Sequence, residues 1–422
     1  MTASAEDLQA KTRHIAFSPP DIREEDIEGV VEALRSGWIT TGPRTKEFER
    51  ALTDFTGADG VAALSSATAA LECALRVLGI GPGDEVITSA YTYTSSCSCI
   101  CHVGATPVLC DTAPGSFEMD YDRLADLITE KTKAVIPVDL GGRMVDYDRV
   151  FDVARSRTSA FRPVNDVQER LGHVAVVADG AHSLGATYHG RRSGSVADLT
   201  AFSFHAVKNL TTAEGGALAW RCDALNNDAT YRQLMLLSLH GQTKDALSKT
   251  RAGAWEYDIA FPGYKCNMTD LQAALGLSQL ARYPQLIARR HEILAIYRSE
   301  LADLPVAFMP HADHPESAEG GFTSSAHLAV TRLTGKSSAF RNALIERMAE
   351  RGVATNVHYK PLPLLTAYRD LGFDIADFPN ASAQFENELT LPLHTLLTDD
   401  DAHYVARTLA SCYRALEEEG VA

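Results

Sequence analysis

From about residue 51 to about residue 280, short apolar runs alternate with stretches whose apolar residues recur at helical spacing. The runs at 60–64, 85–88, 106–110, 132–138, 174–178, 199–203 and 216–220 have strand length, and several are apolar throughout rather than at every second position. Continuous apolar strands separated by amphipathic helices predict an α/β unit, a mostly parallel sheet covered by helices on both faces. Helical spacing marks 22–34, 69–78, 94–102 and 147–155, then a long stretch over 270–301. Beyond the Pro/Gly/Ser-rich segment 310–325 come an apolar run at 326–331, a helix near 337–351 and a final helix over 399–418. That remainder predicts a smaller carboxyl-terminal α+β domain. The expected division is a large domain over residues 1–280 and a small one over 281–422, with the polar residues 1–16 loose.

Composition narrows the functional classes. A chain of 422 residues exceeds one small core, and a hydrophobic content of 45% fits a globular protein. No apolar run reaches the roughly 18 to 20 residues of a membrane span, and the first residues lack a basic region followed by an apolar core. The expected location is the cytoplasm. A formal charge of -16 argues against a nucleic-acid surface, while leaving room for a small anionic ligand held by a few local cations. Among the eight cysteines, Cys97 and Cys101 share a helix face and Cys99 does not. With no second paired cluster, buried reduced thiols are expected rather than a metal site.

Candidate chemistry centres on two residues. Lys208 lies within Phe202-Ser203-Phe204-His205-Ala206-Val207-Lys208-Asn209-Leu210-Thr211-Thr212-Ala213-Glu214-Gly215-Gly216, a lysine among small, hydroxyl-bearing and glycine residues just after an apolar strand. Asp179 follows the buried run 174–178, at the strand terminus where α/β folds place catalytic groups. A lysine amine that can hold an aldehyde as an imine, and a carboxylate that can keep a pyridine nitrogen protonated, are the two fixed points of a pyridoxal 5′-phosphate site. Once released by exchange with a substrate amine, Lys208 would also carry protons to and from the substrate α-carbon. The bland alternatives are a surface lysine and a strand-ending aspartate that caps a turn. Ser66, Ala67 and Thr68 open a helix directly after an apolar strand, where free N–H groups suit a phosphate dianion; a plain helix cap is the alternative.

In those segments the chain resembles the DegT/DnrJ/StrS family of sugar aminotransferases. The likeness continues through Gly37-Trp38-Ile39-Thr40-Thr41-Gly42-Pro43, Ser65-Ser66-Ala67-Thr68-Ala69-Ala70-Leu71, Gly263-Tyr264-Lys265-Cys266-Asn267-Met268-Thr269-Asp270 and His358-Tyr359-Lys360-Pro361. The resemblance implies a fold type I pyridoxal phosphate transferase. It also implies that His182 contacts the cofactor ring oxygen where many relatives have glutamine, that Ser203 binds phosphate, and that Tyr93, with Tyr91 as rival, stacks on the ring. Relatives usually have glycine at the place of Ala67. Lys265 and Asn267 stand where relatives carry Asn-x-Arg on a loop that enters the partner's site, which implies a homodimer with shared active sites. His358 is a candidate for the acceptor pocket, with a structural role as the alternative. Retention of Lys208 favours amino transfer over the dehydratase branch, in which histidine replaces it. The implied reaction takes an amino group from glutamate, or less often glutamine, through pyridoxamine phosphate to a nucleotide-linked keto sugar. A keto-cyclitol acceptor and a non-catalytic regulatory dimer are the alternatives. The stretch 156–172 is longer than the family pattern requires, either as a surface insertion or as a substrate or subunit contact.

Overall fold

The computed structural model describes residues 13–158, 160–244, 256–312 and 321–421. Most of the loose amino-terminal segment, and most of the Pro/Gly/Ser-rich segment, therefore lie outside the described residues.

All seven strands of the large sheet fall where the apolar runs predict them. Their order across the sheet is Gly60–Leu64, Gly216–Trp220, Leu199–Ser203, Ala175–Asp179, Thr132–Ile136, Glu85–Ser89, Thr106–Cys110. Only Gly216–Trp220 runs antiparallel to its neighbours. Helices cover both faces, so the strands are buried on both sides and their side chains fill the apolar clusters above and below. The strand predicted over 132–138 stops at Ile136, because Pro137 has no N–H for the ladder. Its carbonyl instead accepts the Asp179 N–H (2.8 Å), which ties the end of Ala175–Asp179 to its neighbour.

The helical stretch 270–301 resolves into two helices, Asp270–Ala281 and Tyr283–Glu300, because Pro284 can enter only the first turn of a helix. Helices that the pattern did not single out include Pro43–Thr56, Asn227–Ser238 and, within the long stretch 156–172, Asp166–Leu171. Pro43–Thr56 starts without a side-chain cap of its own; the Asp270 carboxylate accepts from the N–H groups of Gly42 (2.8 Å), Arg44 (3.1 Å) and Thr45 (2.9 Å).

The carboxyl-terminal part forms a three-stranded antiparallel sheet, Val306–Phe308, Ala329–Leu333 and Glu388–Leu391, packed on Ser338–Glu350, Asp399–Glu418 and the end of Tyr283–Glu300. Its core also takes in Ile15, whose backbone pairs with Val353, so the segment around Ile15 joins the second core. We place the division between the two units at the junction of Asp270–Ala281 with Tyr283–Glu300. Cys97, Cys99 and Cys110 are buried thiols, whereas Cys101 is exposed, because the helix Ser95–His102 leaves the core in its last turn. No helix among the described residues is long and apolar enough to cross a membrane.

Candidate active site

The carboxyl ends of the parallel strands converge on one cavity of about 620 Å³, the position that open α/β sheets give their ligands. Ser66, Ala67, Thr68, Tyr93, Asp179, His182, Ser203, Lys208 and His358 all line it. Lys265 and Asn267 do not. They lie on the strand-like segment beside Leu64 and Leu239, where the Lys265 amine bonds Asn267 Oδ1 and Lys265 is exposed.

Asp179 is the last residue of its strand and is buried at 4% exposure. Ser96 Oγ donates to its Oδ2 (2.6 Å) and the Ala181 N–H to its Oδ1 (3.1 Å), which fixes the carboxylate plane. Burial pushes its pKa up, against the pull of these two bonds and of Lys208. Lys208 follows the strand Leu199–Ser203 on a turn closed by its own N–H to the His205 carbonyl (2.9 Å). Burial brings the Lys208 amine down to about 8, with the Asp179 carboxylate opposing the shift. An amine with that pKa has a substantial neutral, nucleophilic fraction near neutral pH.

The third feature is the helix Ala67–Val77. Ser66 Oγ accepts the Ala69 N–H (3.1 Å), while the N–H groups of Ala67 and Thr68 have no carbonyl inside the helix to bond. An anion here meets free N–H groups, the positive end of the helix dipole and nearby hydroxyls. Gly216 makes this arrangement possible. A Cβ on it would stand 2.3 Å from the Ser66 carbonyl carbon and 2.4 Å from the Ala67 nitrogen, both backbone atoms. Gly216→Ala is therefore expected to push the helix start away and weaken cofactor binding on the order of a hundredfold, as readable in a cofactor titration.

Tyr93 is 59% exposed and its ring lies 5.9 Å from that of Tyr359, whereas Tyr91 is 1% exposed and packs on Phe117. Of the two rivals for ring stacking, Tyr93 alone faces the cavity. His182 is held at both nitrogens: the Gly141 N–H donates to Nδ1 (3.1 Å), so Nε2 carries the proton, 3.1 Å from the Tyr359 hydroxyl. Burial pushes its pKa well below the usual value, with Lys208 acting in the same direction, so the ring is neutral. Behind it, tilted by 41°, packs the ring of His327 (4.3 Å), whose Nδ1 donates to Asn209 Oδ1 (2.9 Å), and the Asn209 amide donates to the Ser325 carbonyl (2.7 Å). The residue next to Lys208 is thus pinned to the carboxyl-terminal part.

Sequence reasoning passed over Ser96, Tyr359 and Asn209. Tyr359 and Asn209 lie inside the segments that resemble the family. Ser96 carried no signal, because its partner Asp179 is 83 positions away.

A nucleophilic amine and a rigid buried carboxylate on the walls of one cavity, with an anion cup at its edge, fit the two ends and the phosphate of pyridoxal 5′-phosphate. With the sheet order, they define a fold type I pyridoxal phosphate aminotransferase. The chain belongs to the DegT/DnrJ/EryC1/StrS aminotransferase family, whose profile matches residues 20–410. It is 37% identical over 398 residues to the spore coat polysaccharide biosynthesis protein SpsC of Bacillus subtilis (strain 168), covering 93% of this chain and 96% of that one. Among solved structures it resembles Spr1654 of Streptococcus pneumoniae, a candidate sugar aminotransferase, in its PMP-form. The TM-score is 0.92 and the identity 52%, over 96% of this chain and 100% of that one. It also resembles Helicobacter pylori PseC, an aminotransferase involved in the biosynthesis of pseudoaminic acid, with a TM-score of 0.82 and 28% identity over 96% of this chain and 100% of that one.

Proposed function

We propose that this chain is a sugar aminotransferase that moves the amino group of glutamate, or of glutamine, to the keto group of a nucleotide-linked keto sugar. The observation that carries the reading is the meeting of Lys208, Asp179 and the start of the helix Ala67–Val77 on one cavity. Bound pyridoxal phosphate supplies an aldehyde to take the amino group and a ring to accept the electrons of the carbon that loses a proton.

The chain's residues do the rest. Asp179, oriented by Ser96 and Ala181, holds a proton on the pyridine nitrogen. Lys208 holds the cofactor covalently at rest and, once released, moves the proton at the substrate α-carbon. Ser66, Ala67, Thr68 and Ser203 would bind the phosphate, Tyr93 would cover the ring and exclude water, and His182, oriented by Gly141, would share its Nε2–H between the Tyr359 hydroxyl and the ring oxygen. The names of SpsC, PseC and Spr1654 support a sugar acceptor. We further propose a homodimer in which the exposed Lys265 and neighbouring Asn267 reach the partner's site.

A half-reaction screen tests this. The enzyme is loaded with glutamate, and keto sugars and keto-cyclitols are added until the aldehyde spectrum returns. A nucleotide-linked keto sugar is expected to restore it. Restoration by keto-cyclitols alone would replace the acceptor class, and a spectrum that glutamate never moves would make the chain a regulatory cofactor binder.

A further inference from the structure

One wall of the cavity rests on a buried acid that the proposed reaction leaves unused. His358 lines the cavity, its ring stacked on Phe17 at 5.6 Å. Its Nδ1 lies 2.9 Å from Thr390 Oγ1, which lies 2.5 Å from Glu388 Oε1. The other carboxyl oxygen, Oε2, accepts the backbone N–H of His358 (2.8 Å). Glu388 and Thr390, two apart on the strand Glu388–Leu391, share one face of it, and both are fully buried. Asn356 holds the two segments together, exchanging both backbone hydrogen bonds with Thr390 (3.1 and 2.8 Å). Glu388 forms no ion pair among the described residues; Arg341, the cation that acts on it, donates to its backbone carbonyl instead (3.3 Å). A buried acid with no cation at ion-pair distance is expensive to ionise, and the more distant Arg341 offsets that cost only in part.

We propose that Glu388 is a positioning residue that acts through Thr390 to decide which nitrogen of His358 carries its proton, and so whether Nε2 meets the substrate as donor or acceptor. Two arrangements satisfy the same three heavy-atom positions. With Glu388 protonated, its O–H donates to Thr390, the Thr390 O–H donates to Nδ1, and the proton of the neutral ring sits on Nε2. With Glu388 ionised, Thr390 donates to the carboxylate and accepts from Nδ1–H, and Nε2 offers a lone pair. Passing from the first to the second releases one proton to solvent and moves the ring proton from Nε2 to Nδ1. Nε2 has no partner among the described residues, so the cavity side receives the change.

Burial holds Glu388 up to about 8 and brings His358 down to about 4, so the ring is neutral near pH 7 and the donor form prevails. The charged or titratable groups facing the relay are Arg341, Tyr91, Tyr359, Lys208, His182 and His327. Donation from Nε2 suits a hydroxyl or carbonyl oxygen of the acceptor. That assignment rests on the function proposed above, whereas the proton relay itself does not.

The test is nitrogen NMR of the full-length enzyme labelled with [15N]histidine, with the His358 signals identified by their loss in His358→Gln. From about pH 6 to about pH 10 the wild-type Nδ1 is expected to change from unprotonated to protonated, with its midpoint near 8. In Glu388→Gln the amide N–H donates to Thr390 permanently, so Nε2 keeps its proton throughout. Thr390→Val cuts the relay: the transition disappears, and KM for the acceptor rises about tenfold while the glutamate half-reaction is unchanged. A wild-type tautomer that never changes, or a transition that persists in either variant, overturns the proposal. Failure of the keto-sugar screen would remove the acceptor and leave the tautomer result standing.

Discussion

Replacing Lys208 with alanine is expected to lower the rate of amino transfer by about four orders of magnitude or more, to the background of the assay. Two functions leave together. In the proposed reaction the side chain is the covalent anchor of the cofactor, and after release it is the amine that moves a proton at the substrate α-carbon; positioned acid–base groups alone contribute roughly 10² to 10⁴ in rate. Its surroundings make it fit for both, since burial brings the amine down to about 8 and Asn209 pins the following residue to the Ser325 carbonyl. The phosphate cup and Asp179 stay intact in the variant, so cofactor is expected to remain bound without a covalent link. Absorbance spectroscopy of the variant separates the two effects: the cofactor is retained in its free-aldehyde form, and glutamate no longer converts it. Turnover surviving in this variant would remove Lys208 from the chemistry.

Asp179→Asn is expected to cost on the order of a thousandfold in kcat, again a magnitude within the acid–base range. Asparagine preserves the shape: its Oδ1 can still accept the Ala181 N–H, while its amide N–H donates to Ser96 Oγ, whose hydroxyl must turn away. What it loses is the negative charge that we propose keeps a proton on the pyridine nitrogen. Stability without cofactor should move the other way. Asp179 has a folded pKa above its unfolded one, so as pH rises past about 4 the unfolded chain releases a proton that the folded chain retains, and stability falls. Asparagine removes that dependence, so cofactor-free Asp179→Asn is expected to melt at or above the wild-type temperature at pH 7. A large drop in melting temperature alongside the lost activity would mean that the residue serves the fold rather than the ring.

The sequence made legible whatever rests on neighbouring residues. Lys208 announces itself because an apolar strand before it and small residues after it leave a lysine with no ordinary place, and Asp179 because it ends an apolar run. The seven strands are legible for the same reason, each being a continuous apolar stretch of fixed length. Contacts between distant segments left no such trace. The helix Pro43–Thr56 lacks a cap signal because its cap is Asp270, more than two hundred positions away. His358 was visible as a candidate, but the acid behind it was not, since Glu388 lies 30 positions later and reads as an ordinary charged residue in a short strand. The break between Asp270–Ala281 and Tyr283–Glu300 was legible in Pro284 and was masked by helical spacing that continues on either side. The proposed pairing across the Lys265 loop would depend on a second chain, and in the sequence it rests on the family resemblance alone.

The proposed chemistry requires one covalent link, between Lys208 and the cofactor aldehyde. Purified enzyme carrying its cofactor is treated with borohydride, digested, and its peptides sequenced by mass spectrometry. The prediction is a single phosphopyridoxyl modification, on Lys208, that is absent when glutamate is added before reduction. Modification of another lysine, or an unmodified Lys208 in enzyme that still turns over, would contradict it.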